Sequence, residues 1–395
     1  MGVFSKESEL NEKKVLKALS NVMDPDLNKD LVSLGMIQDV VIKGKDELSF
    51  TVMLTTPACP LKAKIEKDCR DALENTFGKD LKVNIKMDAN VSSQRMSDVN
   101  VLPSVRNILC IASGKGGVGK STVAVNLALA LAKTGARVGI LDADIFGPSI
   151  PLMLGIQKGT RPEIRQIKDK HYIVPLEAHG IKVVSIGLVV DERQAVVWRG
   201  AMVHKALTQF VTDVIWGKLD YLMIDMPPGT GDVQLTMAQA VPLTGSVIVT
   251  TPQEVALADA RKAIAMFNLP NINVPVLGVV ENMSFFSPPD MPEKKYYIFG
   301  KDGGKEMAKE YEIPFVGEIP LVEKVREGGD QGNPIMIQEE SATSKAFVII
   351  ASKIAQNVAI ENAKVKTTKE EQVSHAPKIS SPNPKIQTNK LPEIG

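Results

Sequence analysis

The chain has 395 residues, too many for one compact core, so two domains are expected. Hydrophobic residues make up 44% and charged residues 24%, the balance of a chain that buries a core, which excludes a fibrous or wholly disordered protein. A formal net charge of +1 gives no bulk attraction to nucleic acid or anionic lipid, and three widely spaced cysteines exclude a disulfide scaffold and suit a reducing compartment. No apolar run reaches the length of a membrane span, and Met1 to Lys6 leads into charge without a signal-peptide core. The expectation is a cytoplasmic protein with neither nucleic acid nor membrane as partner.

Glu9 to Ser20 carries Leu10, Val15, Leu16 and Leu19 at helical spacing. The turn Asp24-Pro25-Asp26 follows. Val40 to Ile42 and Leu48 to Leu54 read as two strands, Leu61 to Phe77 as a helix, and Leu81 to Ile85 as a last strand. Residues 9–87 therefore predict a small α+β domain. Cys59 lies in the turn Thr55-Thr56-Pro57-Ala58-Cys59-Pro60, just before the helix, where the helix dipole would lower a thiol pKa. A small residue packed in a tight turn is the plain alternative. Cys69, inside the helix, and Cys110, inside a later apolar run, read as core. Residues 88–104 are polar and aperiodic, the composition of a linker.

The second domain, residues 105–360, opens on the apolar run Asn107 to Ala112, which reads as a buried strand. Next comes Gly114-Lys115-Gly116-Gly117-Val118-Gly119-Lys120-Ser121, which fits GxxxxGK[ST]. Ser121 to Lys133, with Thr122 at its start, is Ala/Leu-rich and reads as a helix. Such a loop offers backbone N–H groups to phosphates; Lys120 would neutralise them and the Ser121 hydroxyl would ligate Mg²⁺. ATP and Mg²⁺ are the expected cofactors.

Two further strands end in carboxylates. Ala136 to Leu141 leads to Asp142-Ala143-Asp144, and Tyr221 to Ile224 leads to Asp225-Met226-Pro227-Pro228-Gly229. Strand C-termini form the ligand edge of a parallel sheet. There Asp225 would hold the metal's water shell and Asp144 would position the attacking water, while Gly229 would let backbone approach the γ-phosphate. Strands at Ser246 to Thr250 and Val276 to Val280 follow, the second ending in Glu281-Asn282-Met283. The Asn282 amide would suit an adenine edge, or serve only as a turn residue. This order predicts an α/β fold: a doubly wound, mostly parallel sheet preceded by the small α+β domain. The four histidines have no metal-ligand spacing. Residues 361–395 shift to Lys, Thr, Ser and Pro and read as a disordered tail.

Several motifs resemble known families. Asp24-Pro25-Asp26 with Thr55 to Pro60 resembles the SufT/PaaD-type domain of iron–sulfur assembly proteins, where the cysteine at this place is implicated in cluster handling. Lys115, early in the loop, resembles the deviant Walker A of the SIMIBI ATPases. That resemblance implies a homodimer in which Lys115 reaches the partner's nucleotide, catalytic together with Lys120 and Asp144. Asp142 to Ser149, Trp198-Arg199-Gly200, Asp225 to Asp232, Glu281 to Ser284 and Arg326 to Pro334 resemble the Mrp/ApbC family. It implies a slow, Mg²⁺-dependent ATPase that carries iron–sulfur clusters to assembly or apo-client proteins.

The sequence departs from that family at one place. Mrp/ApbC proteins carry Cys-x-x-Cys shortly after the Glu-Asn-Met motif, bridging a [4Fe–4S] cluster between protomers. Ser284 to Gly300 contains no cysteine. Cys59 is then the remaining candidate thiolate for a cluster. Two alternatives stay open: a ParA/MinD-like positioning ATPase, and a nucleotide-gated scaffold without its own cluster.

Overall fold

The computed structural model describes residues 10–44, 46–91, 102–145, 147–188 and 209–375. Asn11 caps α1 (Glu12–Leu19) by accepting the Lys14 N–H, and Val15, Ala18 and Leu19 form its buried stripe. A short ladder of β1 (Met23–Asp24) and β2 (Lys29–Asp30) follows. Next, β3 (Ile37–Lys43) pairs antiparallel with β4 (Glu47–Leu54). Helix α2 (Lys62–Phe77) then crosses over to β5 (Lys82–Ala89), parallel to β4. The last strand continues past Ile85 because Met87 and Ala89 still pair with Val52 and Leu54. Leu19, Leu48, Ile65, Cys69 and Leu73 meet in the core of this small α+β unit.

The larger unit is built on one eight-stranded sheet. Its strands are β6 (Val105–Ala112), β7 (Val138–Asp142), β10 (Leu176–Ala178), β11 (Ile181–Ser185), β12 (Leu219–Asp225), β13 (Gly245–Thr250), β14 (Val276–Asn282) and β15 (Phe315–Ile319). The spatial order is β10-β11-β7-β12-β6-β13-β14-β15, and only β10 runs antiparallel to its neighbour. An exposed hairpin, β8 (Ile164–Ile167) with β9 (Lys170–Ile173), stands outside it. One face is covered by α3 (Lys120–Lys133), α4 (Ile150–Met153), α8 (Glu323–Gln331) and α9 (Ala342–His375), the other by α5 (Asp232–Ala240), α6 (Glu254–Phe267) and α7 (Gly303–Glu310). With both faces covered, the central strands are continuously apolar, which is why they were legible as buried runs. After β6 the chain moves to β7 on one side, and after β12 it passes to β13 on the other. That reversal opens a crevice at the carboxyl ends of β6 and β12.

One expectation needs amendment. Helix α9 runs to His375, through the start of the region read as a disordered tail. No Gly or Pro interrupts it before Pro377, and extending a formed helix adds a hydrogen bond for each residue fixed. Asn362 is buried there and donates to Asn107 on β6 at 3.0 Å, so this part of the helix is packed. Most of the expected linker, Trp198-Arg199-Gly200 and the chain beyond His375 lie outside the described residues.

The two units touch at the sheet edge opposite the crevice. The Thr56 and Tyr221 hydroxyls are hydrogen-bonded at 3.0 Å, and the Gln356 amide donates to Asp26. Ala58 and Val91 join the core cluster of α3 and α9.

Candidate nucleotide site

The loop between β6 and α3 has the shape that phosphate binding needs. Gly117 (φ 83°) and Gly119 (φ 80°) adopt the left-handed region, and Gly119 caps α3. Gly114 is required for packing: a Cβ there would run into the Asp259 carbonyl on α6. A Cβ on Gly119 would strike the Asn282 amide. Gly116 is exposed with Gly117 and Lys115 on the outer lip, Val118 is buried beneath, and Thr122 lies in the first turn of α3.

Behind the loop, four predicted side chains converge. Lys120, only 6% exposed, donates from Nζ to Asp225 Oδ1 at 2.6 Å and to Ser121 Oγ at 3.2 Å. Ser121 Oγ donates to Asp225 Oδ2 at 2.6 Å. Asp144 Oδ2 lies 3.8 Å from Lys120 Nζ, while Asp144 Oδ1 is buried with no hydrogen-bond partner. A buried carboxylate oxygen in that state is costly unless a ligand or ordered water meets it. A hydroxyl and two carboxylates, one of them with an orphan oxygen, around one lysine fit an octahedral, oxygen-liking ion such as Mg²⁺ beside a phosphate.

Register explains the convergence. Asp225 pairs with Ile111 on one side and with Asp142 on the other, so both carboxylates reach the same edge of the sheet as the loop. Burial pushes Asp225 upward against the pull of Lys120. Burial, then the charge of Asp225, pushes Asp142 to about 7.

The structure also assigns roles that sequence reasoning missed. Asp142 accepts the Ser185 hydroxyl at 2.9 Å and the N–H groups of Asp144 and Ile150 at 3.2 Å. It thereby fixes the turn that presents Asp144. Ser185 faces Asp142 across the β11–β7 pair, a signal visible only once strand order is known. Gln234 donates to the Pro228 carbonyl at 2.6 Å and braces the loop after β12. Glu281 accepts the Gly304 N–H at the start of α7.

Two expected ligand groups are spent on the protein itself. Gly229, in left-handed conformation (φ 99°), donates its N–H to the Ser113 carbonyl at 2.8 Å and ties the two loops together. Asn282 donates to the Val118 carbonyl at 2.9 Å, so its amide braces the P-loop. The cysteine-free stretch after it is closed by aromatic and cationic contacts. Phe286 and Tyr296 form a backbone bridge, Lys295 Nζ sits 3.8 Å from the Phe285 ring centre, and Phe285 meets Tyr297 edge-on.

Cys59 is not part of this site. Its turn sits beside Tyr221, and Tyr221 to Asp225 spans about 13 Å of extended strand. Its thiol is pushed up, not down. Burial is the largest cause, the Leu61 N–H opposes it, and Asp26 and Asp24 add repulsion, so helix-terminus stabilisation is outweighed. Cys69 and Cys110 are buried in the core as expected. Among the described residues no cluster of three or more His, Cys, Asp or Glu is arranged to hold a metal.

Residues 104–355 match the family model described as NUBPL iron-transfer P-loop NTPase, and residues 12–86 match that of an iron–sulfur cluster assembly protein. The chain is 50% identical over 348 residues to a protein of Synechocystis sp. named iron-sulfur cluster carrier protein, covering 88% of this chain and 97% of that one. It is 41% identical over 367 residues to the Arabidopsis thaliana protein named Fe-S cluster assembly factor HCF101, chloroplastic, covering 91% of this chain and 66% of that one. Among solved structures, a nucleotide-binding protein of Archaeoglobus fulgidus in complex with ADP is similar at 38% identity and a TM-score of 0.53, over 64% of this chain and 96% of that one. With a nucleotide cradle built of its own residues and a family match over most of its length, the chain belongs to the NUBPL iron-transfer P-loop NTPase family, with an iron–sulfur cluster assembly domain at its N-terminal end.

Proposed function

We propose that this protein is a slow, Mg²⁺-dependent ATPase, acting as a homodimer whose nucleotide cycle drives the handling of iron–sulfur clusters for assembly or client proteins. The observation that carries the reading is the convergence of Lys120, Ser121, Asp225 and Asp144 at the mouth of the glycine loop. Ser121 and Asp225 hold the metal side, Lys120 meets the phosphates, and Asp144 orients water. Bound Mg²⁺ supplies charge neutralisation at the phosphate oxygens. Asn282 reaches an adenine edge only if its bond to Val118 gives way. Lys115 is exposed on the lip, and on this reading it acts on a partner's nucleotide. No described helix is long and apolar enough to cross a membrane, which is compatible with a cytoplasmic site of action.

Asp144→Asn removes the water-orienting charge and keeps the shape. Turnover is expected to fall by about 10²- to 10⁴-fold, with ATP affinity nearly retained. Steady-state phosphate release and equilibrium nucleotide binding measure the two; a variant that hydrolyses ATP at the wild-type rate removes Asp144 from the mechanism.

The cluster is cargo on this reading, and names of relatives support it more than local ligands do. A scaffold that gates clusters held elsewhere is favoured by one observation, the cysteine-free segment after Asn282. Anaerobic reconstitution with iron and sulfide separates the two. Cluster absorbance and bound iron are expected in the wild-type chain and are expected to be lost in Cys59→Ala. A wild-type chain that takes up no cluster sinks the carrier reading in favour of the scaffold, and a variant that keeps the cluster excludes Cys59 as a ligand.

A further inference from the structure

Cys59 is half-buried, and one side of it is covered by the other unit. Asp24, Asp26, Leu54 and Thr56 wall its surroundings from its own unit, and Gln356 and Ala359 of α9 close them. The space left is about 10 Å³. On that side there is room for one water at most, too little for an organic thiol reagent or a metal cluster.

The closing contact is narrow, part polar and part apolar. It consists of the Gln356–Asp26 bond, the Thr56–Tyr221 hydroxyl pair, and the packing of Ala58 and Val91 against the α3–α9 core. No described helix or strand of the small unit packs broadly along one of the large unit. The Asp24 carboxylate holds its own turn by accepting the Asp26 and Leu27 N–H groups at 2.9 Å, so Asp26 is presented to Gln356 on a rigid mount. A contact of this kind opens at low cost, unlike the core on either side of it.

We infer that the docked arrangement is a closed state of Cys59, in which α9 shields the thiol, and that separation of the two units exposes it. Any partner that reacts with or ligates Cys59 then needs the open state. The inference concerns access alone and stands whether or not the cysteine ever holds a cluster. The raised thiol pKa accords with the same enclosure.

The test is alkylation of the full chain by N-ethylmaleimide, with peptide mass spectrometry following Cys59 and Cys69 separately. Native wild-type Cys59 is expected to react more slowly than in the same chain under guanidinium chloride at equal pH. Gln356→Ala and Tyr221→Phe each remove one docking bond and leave the thiol's own unit intact. Each is expected to speed Cys59 labelling by about fivefold while buried Cys69 stays protected. Three results overturn the inference: a native wild-type rate equal to the denatured one, rates unchanged in both variants, or Cys69 labelling that rises in step with Cys59. The last would assign the effect to unfolding of the small unit.

Discussion

Lys120→Ala is expected to lower ATP binding, turnover and stability at once. ATP binding should weaken by about 10- to 100-fold, because a charge-assisted contact to phosphate is lost. Turnover should fall further, by about 10³-fold overall, because the same charge is needed most as the phosphoryl group transfers. Stability should also drop. In the structure Lys120 is the cation against buried Asp225, with Asp144 at 3.8 Å and Asp142 on the adjoining strand. Breaking such a pair costs about 3 kcal/mol or more, since the remaining carboxylates are left buried without a counter-charge. The sign of the pH dependence follows. Asp142 and Asp225 already have raised pKa values, and loss of Lys120 raises them further. The deficit relative to wild type is therefore small where both are protonated, and it grows as pH rises through their range. Urea unfolding at about pH 6 and about pH 8.5 reads the difference directly. The double variant Lys120→Ala/Asp225→Asn should regain part of the stability without regaining turnover. A deficit that is equal at both pH values would show that Lys120 does not compensate these acids.

The second large effect concerns Lys115. Its side chain stands at the exposed lip, and the buried quartet is complete without it. Lys115→Ala should leave the fold and ATP binding nearly unchanged while turnover falls by about 10³-fold or more, the loss expected when a cation supplied across a dimer is removed. Complementation identifies the geometry. An equal mixture of Lys115→Ala and Asp144→Asn chains contains mixed dimers in which one site has an intact Asp144 in its own protomer and an intact Lys115 from the other. Random pairing should restore roughly a quarter of the wild-type sites. A mixture no more active than either variant alone would place Lys115 in its own protomer's site or outside catalysis.

These effects lie at the carboxyl edge of the sheet, whereas Cys59 lies at the other. The same elements connect the two edges. Helix α3 begins at the P-loop and packs along α9, and α9 carries Gln356, which closes over Cys59. Strand β12 carries Tyr221 near its start and Asp225 at its end. A nucleotide that draws Lys120 away from Asp225 acts on the ends of α3 and β12; β12 meets the docked unit through Tyr221 near its start, and α3 packs against α9, which meets it through Gln356. Alkylation of Cys59 with and without a non-hydrolysable ATP analogue would show whether the two edges are coupled.

What the sequence alone determined is local. The glycine loop, its two lysines and its serine are contiguous, and the backbone conformation they need is specified by Gly117 and Gly119 themselves. The buried strands were legible because a parallel sheet covered on both faces requires unbroken apolar runs. Asp225 and Asp144 were legible because they follow such runs directly. The tertiary structure decided everything that depends on partners far along the chain. Asp26 meets Gln356 across 330 positions, and beside that contact Cys59 is half-buried with its thiol pushed up, as the packed alternative would have it. Asn282 is aimed at Val118 across 164 positions, and this made a brace of a residue read as a base contact. Asp142 acquires Ser185 only through the order of strands, and α9 is held at Asn362 by Asn107 on β6. The physical reason is the same in each case. Loop conformation and hydrophobic period are set by neighbours within a few residues, whereas burial, the pKa it shifts and the partner of a polar side chain are set by whichever segment folds against it.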